Sequence, residues 1–392
     1  MAKSLSSIWL KNIRRMGKAQ ARGRSLFKSL LPKAVRAPAV RRVKPVKAPR
    51  LKVVQPARQP SVAPVAPPPG VWRKAYFSMP GGAGGQLAPA RRMLYWLYLP
   101  GGVALAPRPL VVMLHGCQQT ACDFATATRM NQLAERKGFA VLYPQQSAAA
   151  DSHRCWHWYK RSTQQGLGEA RLVADMIEQV QIKHGLDASR TYLAGLSAGA
   201  ALASIVALHY PELIAAVGLH SAPVFGTSDS AMSAYSAMQH GSSHAHQTAA
   251  RDFVKALPAS SSHPGMPAIL IHGERDPVVR RVNMQQLSQQ FEIINAPFIT
   301  RAEPVRHSHP ARSTGRSPRH AYQTWTYYAG RKPQLMKCEI GVLGHAWSGG
   351  DDSVAFSTRE GPNATSMMWD FFVCHQRSAA PETTLLADAR KI

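Results

Sequence analysis

The chain is 392 residues long and carries 48 lysines and arginines against 21 aspartates and glutamates, a formal net charge of +27. That length allows a large core, while the lack of any run near about 18 uninterrupted apolar residues excludes a membrane-spanning helix. Its five cysteines are too few, and odd in number, for a disulfide-stapled scaffold.

The charge is unevenly placed: 17 basic and no acidic residues fall within residues 1–70, and Asp123 is the first acidic residue of the chain. Residues 1–33 set Leu5, Trp9, Ile13 and Met16 on one helical face and Lys11, Arg14, Arg15 and Lys18 on the other, the pattern of a basic interfacial helix. The same basic residues interrupt any h-region of about 7 to 15 apolar residues, so no secretory signal is expected. A nonspecific nucleic-acid tail, an organelle transit peptide and a plain solubility tail are the rival readings of this arm. Residues 34–70 mix proline, alanine, valine and basic residues, which cannot build a core and predict an extended or disordered linker.

From residue 71 to 377 the pattern alternates strand and helix. An antiparallel pair is predicted over 73–79 and 92–100, joined across the glycines at 81–85. Buried parallel strands follow at 110–114 and 140–143, with one helix over 123–137 as the crossover that parallel strands require. Helices are predicted over 168–184, 198–210, 282–293 and 363–374, and further buried strands over 215–219, 266–273 and 338–343. This predicts a mostly parallel sheet covered by helices on both faces. Two stretches, 228–265 and 301–320, read as surface insertions, and 378–392 as a polar tail. The histidines at 240, 244, 246, 307 and 309 lack the carboxylate or cysteine company of a metal site and read as solvated loop residues, so no metal and no cofactor is expected.

Within that frame Gly195-Leu196-Ser197-Ala198-Gly199 stands between an apolar strand and an alanine-rich helix, the tight turn that exposes a nucleophilic serine. A Cβ two residues to either side of Ser197 would collide with neighbouring backbone, which is why glycine stands there. An acid and a histidine should follow in that order. Asp276, after the strand at 266–273, is the expected acid, with Glu274 its competitor; it would fix the imidazole tautomer. His345, in the loop Gly344-His345-Ala346-Trp347-Ser348-Gly349-Gly350, is the expected general base. The backbone N–H groups of Cys117 and Ala198 would form the oxyanion hole. Trp156 and Trp158, in a loop with arginine and histidine, are expected to line an apolar cleft, with Trp347 a third candidate. Cys117 and Cys155 follow strands at the same sheet edge. A bridge between them would brace the oxyanion loop in an oxidising compartment, whereas in a cytosol the two thiols would stay reduced.

His115-Gly116-Cys117-Gln118, Arg154-Cys155-Trp156-His157-Trp158, the serine turn, His272-Gly273-Glu274-Arg275-Asp276 and the His345 loop together resemble the polyhydroxybutyrate depolymerase family of esterases over residues 72–376. The resemblance implies an α/β-hydrolase fold, a Ser197, Asp276, His345 triad, an oxyanion hole at Cys117 and Ala198, and ester hydrolysis through an acyl-enzyme. Feruloyl and acetylxylan esterases are similar relatives, so carbohydrate-linked esters are the alternative substrate class to polyester. A noncatalytic protein acting through its basic arm is a more distant reading. Two positions depart from the family's usual pattern: His157 stands where asparagine is usual between the tryptophans, and Ala200 where glycine is usual. With no export signal expected, the sequence predicts a cytoplasmic enzyme whose residues 1–33 dock on storage granules. An exported enzyme is the alternative, and nucleic acid is not an expected partner.

Overall fold

The chain divides into two units, Met1–Pro67 and Pro68–Ile392. The computed structural model describes residues 68–79, 91–242, 245–256, 264–314 and 318–377. The expectations for the amphipathic segment, nearly all of the linker, the glycine-rich turn at 81–85 and the tail at 378–392 lie outside the described residues.

Among the described residues one sheet is built from β1 (Val71–Met79), β2 (Arg91–Leu99), β3 (Leu110–Leu114), β4 (Ala140–Gln145), β5 (Thr191–Leu196), β6 (Ala216–His220), β7 (Ala268–Gly273), β8 (Val305–His309), β9 (Tyr322–Ala329) and β10 (Lys332–Ile340). Their spatial order is β1-β2-β4-β3-β5-β6-β7-β10-β9-β8. The run from β4 to β10 is parallel, and antiparallel strands flank it on both sides. Every residue of β3, β4, β5, β6 and β7 is buried, as expected of parallel strands covered on both faces.

The helices are α1 (Ala121–Thr128), α2 (Met130–Lys137), α3 (Arg161–Gln164), α4 (Glu169–His184), α5 (Ala198–His209), α6 (Ala231–His240), α7 (Ala245–Ala256), α8 (Val282–Asn295) and α9 (Ala364–Phe372). Alternation along β5 separates the two faces of the sheet. Tyr192, Ala194 and Leu196 join the core cluster with Phe124, Met130, Met368, Trp369 and Phe372 from α1, α2 and α9. Gly195 points to the other face, where its missing Cβ admits the backbone of α5. On the first face Gly218 of β6 makes room for Met368, whose sulfur would lie 2.7 Å from an added Cβ.

Three expectations are corrected. The helix predicted over 123–137 is two helices, broken at Arg129 with φ 54°. The carbonyls before the break are taken from outside the ladder: Ala127 accepts from Asp351 N–H at 2.9 Å and Thr128 from the Thr365 hydroxyl at 2.6 Å. The Arg129 guanidinium pairs with Asp351 at 3.2 Å. The stretch at 228–265 contains α6 and α7; Ser230 and Ser233 form a reciprocal cap at the start of α6, satisfying donors that begin every helix unpaired. The stretch at 301–320 contributes β8, which pairs with β9 at the sheet edge. Of the histidines there, His246 bonds Gln289 at 2.7 Å and His309 stacks on Tyr322 at 4.2 Å.

Candidate active site

Ser197 follows β5 directly, with φ 58° and ψ −121°, and α5 begins at the next residue. A positive φ in a residue with a Cβ costs about 1–3 kcal/mol and persists where surrounding structure fixes it. Here the Ser197 N–H donates to the His220 carbonyl at 3.0 Å, and its carbonyl accepts from Ala201 at 2.9 Å. A Cβ on Gly195 would lie 2.5 Å from the carbonyl carbon of Gly199, and one on Gly199 only 2.1 Å from the Leu114 carbonyl oxygen. Both obstacles are backbone, so only glycine fits. Ala200 is accommodated fully buried within α5.

Asp276 and His345 lie beyond the C-terminal ends of β7 and β10, which pair in parallel. The two loops are tied together: Glu274 N–H donates to Ile340 O at 2.9 Å and Arg275 N–H to Leu343 O at 3.0 Å. His345 Nδ1–H donates to Asp276 Oδ2 at 2.7 Å. The other carboxylate oxygen accepts from the N–H groups of Val278 and Val279, each at 2.9 Å. Burial by itself raises the Asp276 pKa, but the adjoining His345 and His272 rings and the Val279 amide outweigh it and hold the carboxyl well below the usual carboxylate range. Glu274 is exposed to solvent, and the bond to His345 belongs to Asp276.

Cys117 follows β3, the parallel neighbour of β5, so its loop leaves the sheet at the same edge as Ser197. It is bonded to Cys155 in a disulfide. Gln118 adopts φ 66° and donates its N–H to the His153 carbonyl at 2.6 Å. His115, at the base of the loop, is fully buried; burial pushes its pKa down to about 4, and its Nε2 accepts from Gln146 N–H at 3.1 Å. Ala198 supplies the first amide of α5, where backbone N–H groups are free of intrahelical partners.

The three tryptophans singled out in the sequence are deeply placed. Trp156 and Trp347 have no exposed surface, and Trp158 keeps only 4%, so all three are packed largely in the interior. The Trp156 indole N–H donates to His115 O at 2.9 Å. Trp347 donates to the Thr365 hydroxyl at 3.1 Å and packs between Phe124 and His220. A loop sequence with polar neighbours does not reveal this, because the partners of each indole come from distant elements.

His220, the last residue of β6, carries a role the sequence hides inside an apolar run. Its carbonyl accepts the Ser197 N–H, while its Nε2 accepts the Ser348 N–H in the His345 loop at 3.3 Å. Burial lowers its pKa to about 3, with His272 and His345 adding to the effect, so the ring stays a neutral acceptor. Among the described residues no three His, Cys, Asp or Glu side chains are arranged to hold a metal ion. No helix there is long and apolar enough to cross a membrane. A cavity of about 410 Å³ opens at the opposite sheet edge, beside Arg108, Arg190 and Trp369; both arginines there are engaged with main-chain carbonyls of the bordering loop.

Comparison with known proteins identifies a family for the chain. The family described as Esterase PHB depolymerase matches residues 93–313. Poly(3-hydroxyalkanoate) depolymerase C of Paucimonas lemoignei is 31% identical over 195 residues, 50% of this chain and 46% of that protein. A probable acetylxylan esterase A of Aspergillus fumigatus is 35% identical over 130 residues, 33% of this chain and 34% of that protein. The chain thus matches less than half the length of these curated relatives. The solved acetyl xylan esterase from Aspergillus awamori superimposes with a TM-score of 0.57 at 19% identity, covering 76% of this chain and 99% of that one. That likeness shows the shared α/β-hydrolase fold.

Proposed function

This chain belongs to the PHB depolymerase family of esterases, and on that premise we propose that it is a serine carboxylic-ester hydrolase acting on poly(3-hydroxybutyrate)-type polyester or its oligomers. The observation that carries the reading is the 2.7 Å bond from His345 to the buried Asp276, at the sheet edge from which the strained Ser197 projects. Asp276 holds Nδ1 protonated, leaving Nε2 to take the Ser197 hydroxyl proton as Oγ attacks the ester carbonyl. The oxygen of the tetrahedral intermediate accepts from the amides of Cys117 and Ala198. His345 returns the proton to the departing alkoxide, then activates the water that releases the acid from the acyl-enzyme. No metal or cofactor is needed for these steps.

Ser197→Ala and His345→Ala should each lower hydrolysis of a short acyl ester by about 10⁴-fold or more in folded protein. Near-normal turnover by folded Ser197→Ala refutes the assignment. The acetylxylan esterases among the relatives favour carbohydrate-linked esters as the second substrate class. Product analysis on 3-hydroxybutyrate oligomers, amorphous polymer, acetylated xylan and feruloyl esters separates the two.

For location, the Cys117–Cys155 disulfide favours an oxidising compartment over the cytoplasm expected from the sequence. The basic amphipathic composition of residues 1–33 supports docking on a polyester surface, where charge and an apolar face would both contribute.

A further inference from the structure

His157 and Glu169 take no part in the steps above, yet they are the centre of the bonding behind the oxyanion loop. Glu169, the first residue of α4, accepts the His157 main-chain N–H at 2.6 Å through Oε2 and the His157 Nδ1–H at 2.9 Å through Oε1. Gln146 Nε2 donates to the same Oε1 at 2.6 Å and to the Cys155 carbonyl at 3.2 Å. Asp151 closes the far side: its Oδ1 accepts from the main-chain N–H groups of His153 at 2.9 Å and Cys155 at 3.1 Å. Its Oδ2 lies 3.6 Å from His157 Nε2. The His157 and Glu169 side chains are only 14% and 16% exposed, so these charge-assisted bonds are far less screened than a surface pair.

The segment held in this way is joined three times to the loop that carries Cys117. The joints are the Cys155 disulfide, the Gln118 N–H on the His153 carbonyl and the Trp156 indole on the His115 carbonyl. Cys117 lies between the residues anchored by the second and third. The direction of its amide therefore depends on where residues 153–157 sit, and Glu169 fixes that position from α4. We propose that Glu169 is a positioning residue for the oxyanion hole, acting through His157 and Cys155 on the Cys117 N–H. The proposal rests on the reading of Cys117 as an oxyanion donor.

The test is a double-mutant cycle in the full-length chain. Glu169→Ala and Glu169→Gln are each made in the parent and in a Cys117→Ala, Cys155→Ala background, with 4-nitrophenyl acetate as substrate and a boronic acid as transition-state mimic. In the parent, Glu169→Ala should lower kcat by about 10- to 100-fold, less than the 10²- to 10³-fold typical of losing a donor outright. KM should move less than about threefold, and boronic acid affinity should fall with kcat. Glu169→Gln, which keeps one acceptor oxygen, should lose less. Without the disulfide the Glu169→Ala effect should shrink, because the covalent joint among the three that transmit it is cut and only the two hydrogen-bonded ones remain. An equal loss in both backgrounds, or a fall in Tm with kcat unchanged, overturns the positioning role. Where Glu169→Ala yields no folded protein, the isosteric Glu169→Gln decides by the same cycle. An active Ser197→Ala protein would instead remove the underlying esterase reading, so the two failures are distinguishable.

Discussion

Asp276 accepts from one imidazole and two main-chain amides, a set of donors matched to an ionised carboxylate. Asp276→Asn presents an amide where the His345 N–H must be accepted and favours the wrong tautomer, so kcat should fall by about 10⁴-fold, with some loss of stability because the buried ionised carboxylate is removed. Glu274→Gln, at an exposed position, should stay within about twofold. Steady-state rates on a soluble ester measure both, and a larger loss in the second variant would move the acid to Glu274. The sequence narrowed the acid to two residues of one loop; burial and the Val278 and Val279 amides separate them, and neither is visible in residue identity.

At the scale of elements, the turn between β5 and α5 leaves no room for a side chain at either flanking glycine. Gly199→Ala forces a Cβ to within 2.1 Å of the Leu114 carbonyl oxygen, so β3 or α5 must shift, at a cost of about 3 kcal/mol or more. Ala200→Gly, one residue on, should cost only about 1 kcal/mol through lost helix propensity. Urea unfolding compares them; equal small losses would show that the close approach is relaxed in solution. Strand and helix spacing made β3 to β7, α4, α5, α8 and α9 legible. The break at Arg129 was not, because the partners that claim the Ala127 and Thr128 carbonyls, Asp351 and Thr365, lie more than two hundred residues away in sequence.

Across the whole molecule, buried histidines set the response to acid. Burial lowers the pKa of His115 to about 4, His220 to about 3 and His375 to about 4, against about 6.5 in an unfolded chain. Between those values the unfolded state binds more protons, so stability falls as pH drops from about 6.5 toward 4. Asp276, with its folded pKa depressed, adds stability above the unfolded carboxylate value near 3.9 that is lost below it. The urea midpoint should therefore be lower at pH 5 than at pH 7.5, and His375→Gln should narrow the difference; a midpoint independent of pH contradicts the burial of these rings. Deleting residues 1–70 should leave soluble-ester hydrolysis intact and weaken retention on polymer particles, the more so at low salt where the basic arm contributes most. Equal retention of the truncated and full chains would end the docking role.

The sequence by itself determined the sheet-and-helix class, the glycine-flanked turn at Ser197 and the loops that carry Asp276 and His345, because each rests on local spacing: apolar runs, a glycine pair around Ser197, and loops placed after strands. Tertiary structure alone decided that Asp276 rather than Glu274 meets His345, that the three tryptophans are buried, that His220 bridges the serine and histidine loops, and that Glu169 stands behind the oxyanion loop. Each of those outcomes depends on which distant backbone groups arrive beside a side chain. That is set by the order in which parallel strands assemble, and a polar residue at the end of an apolar run reads the same whether a partner is waiting for it or not.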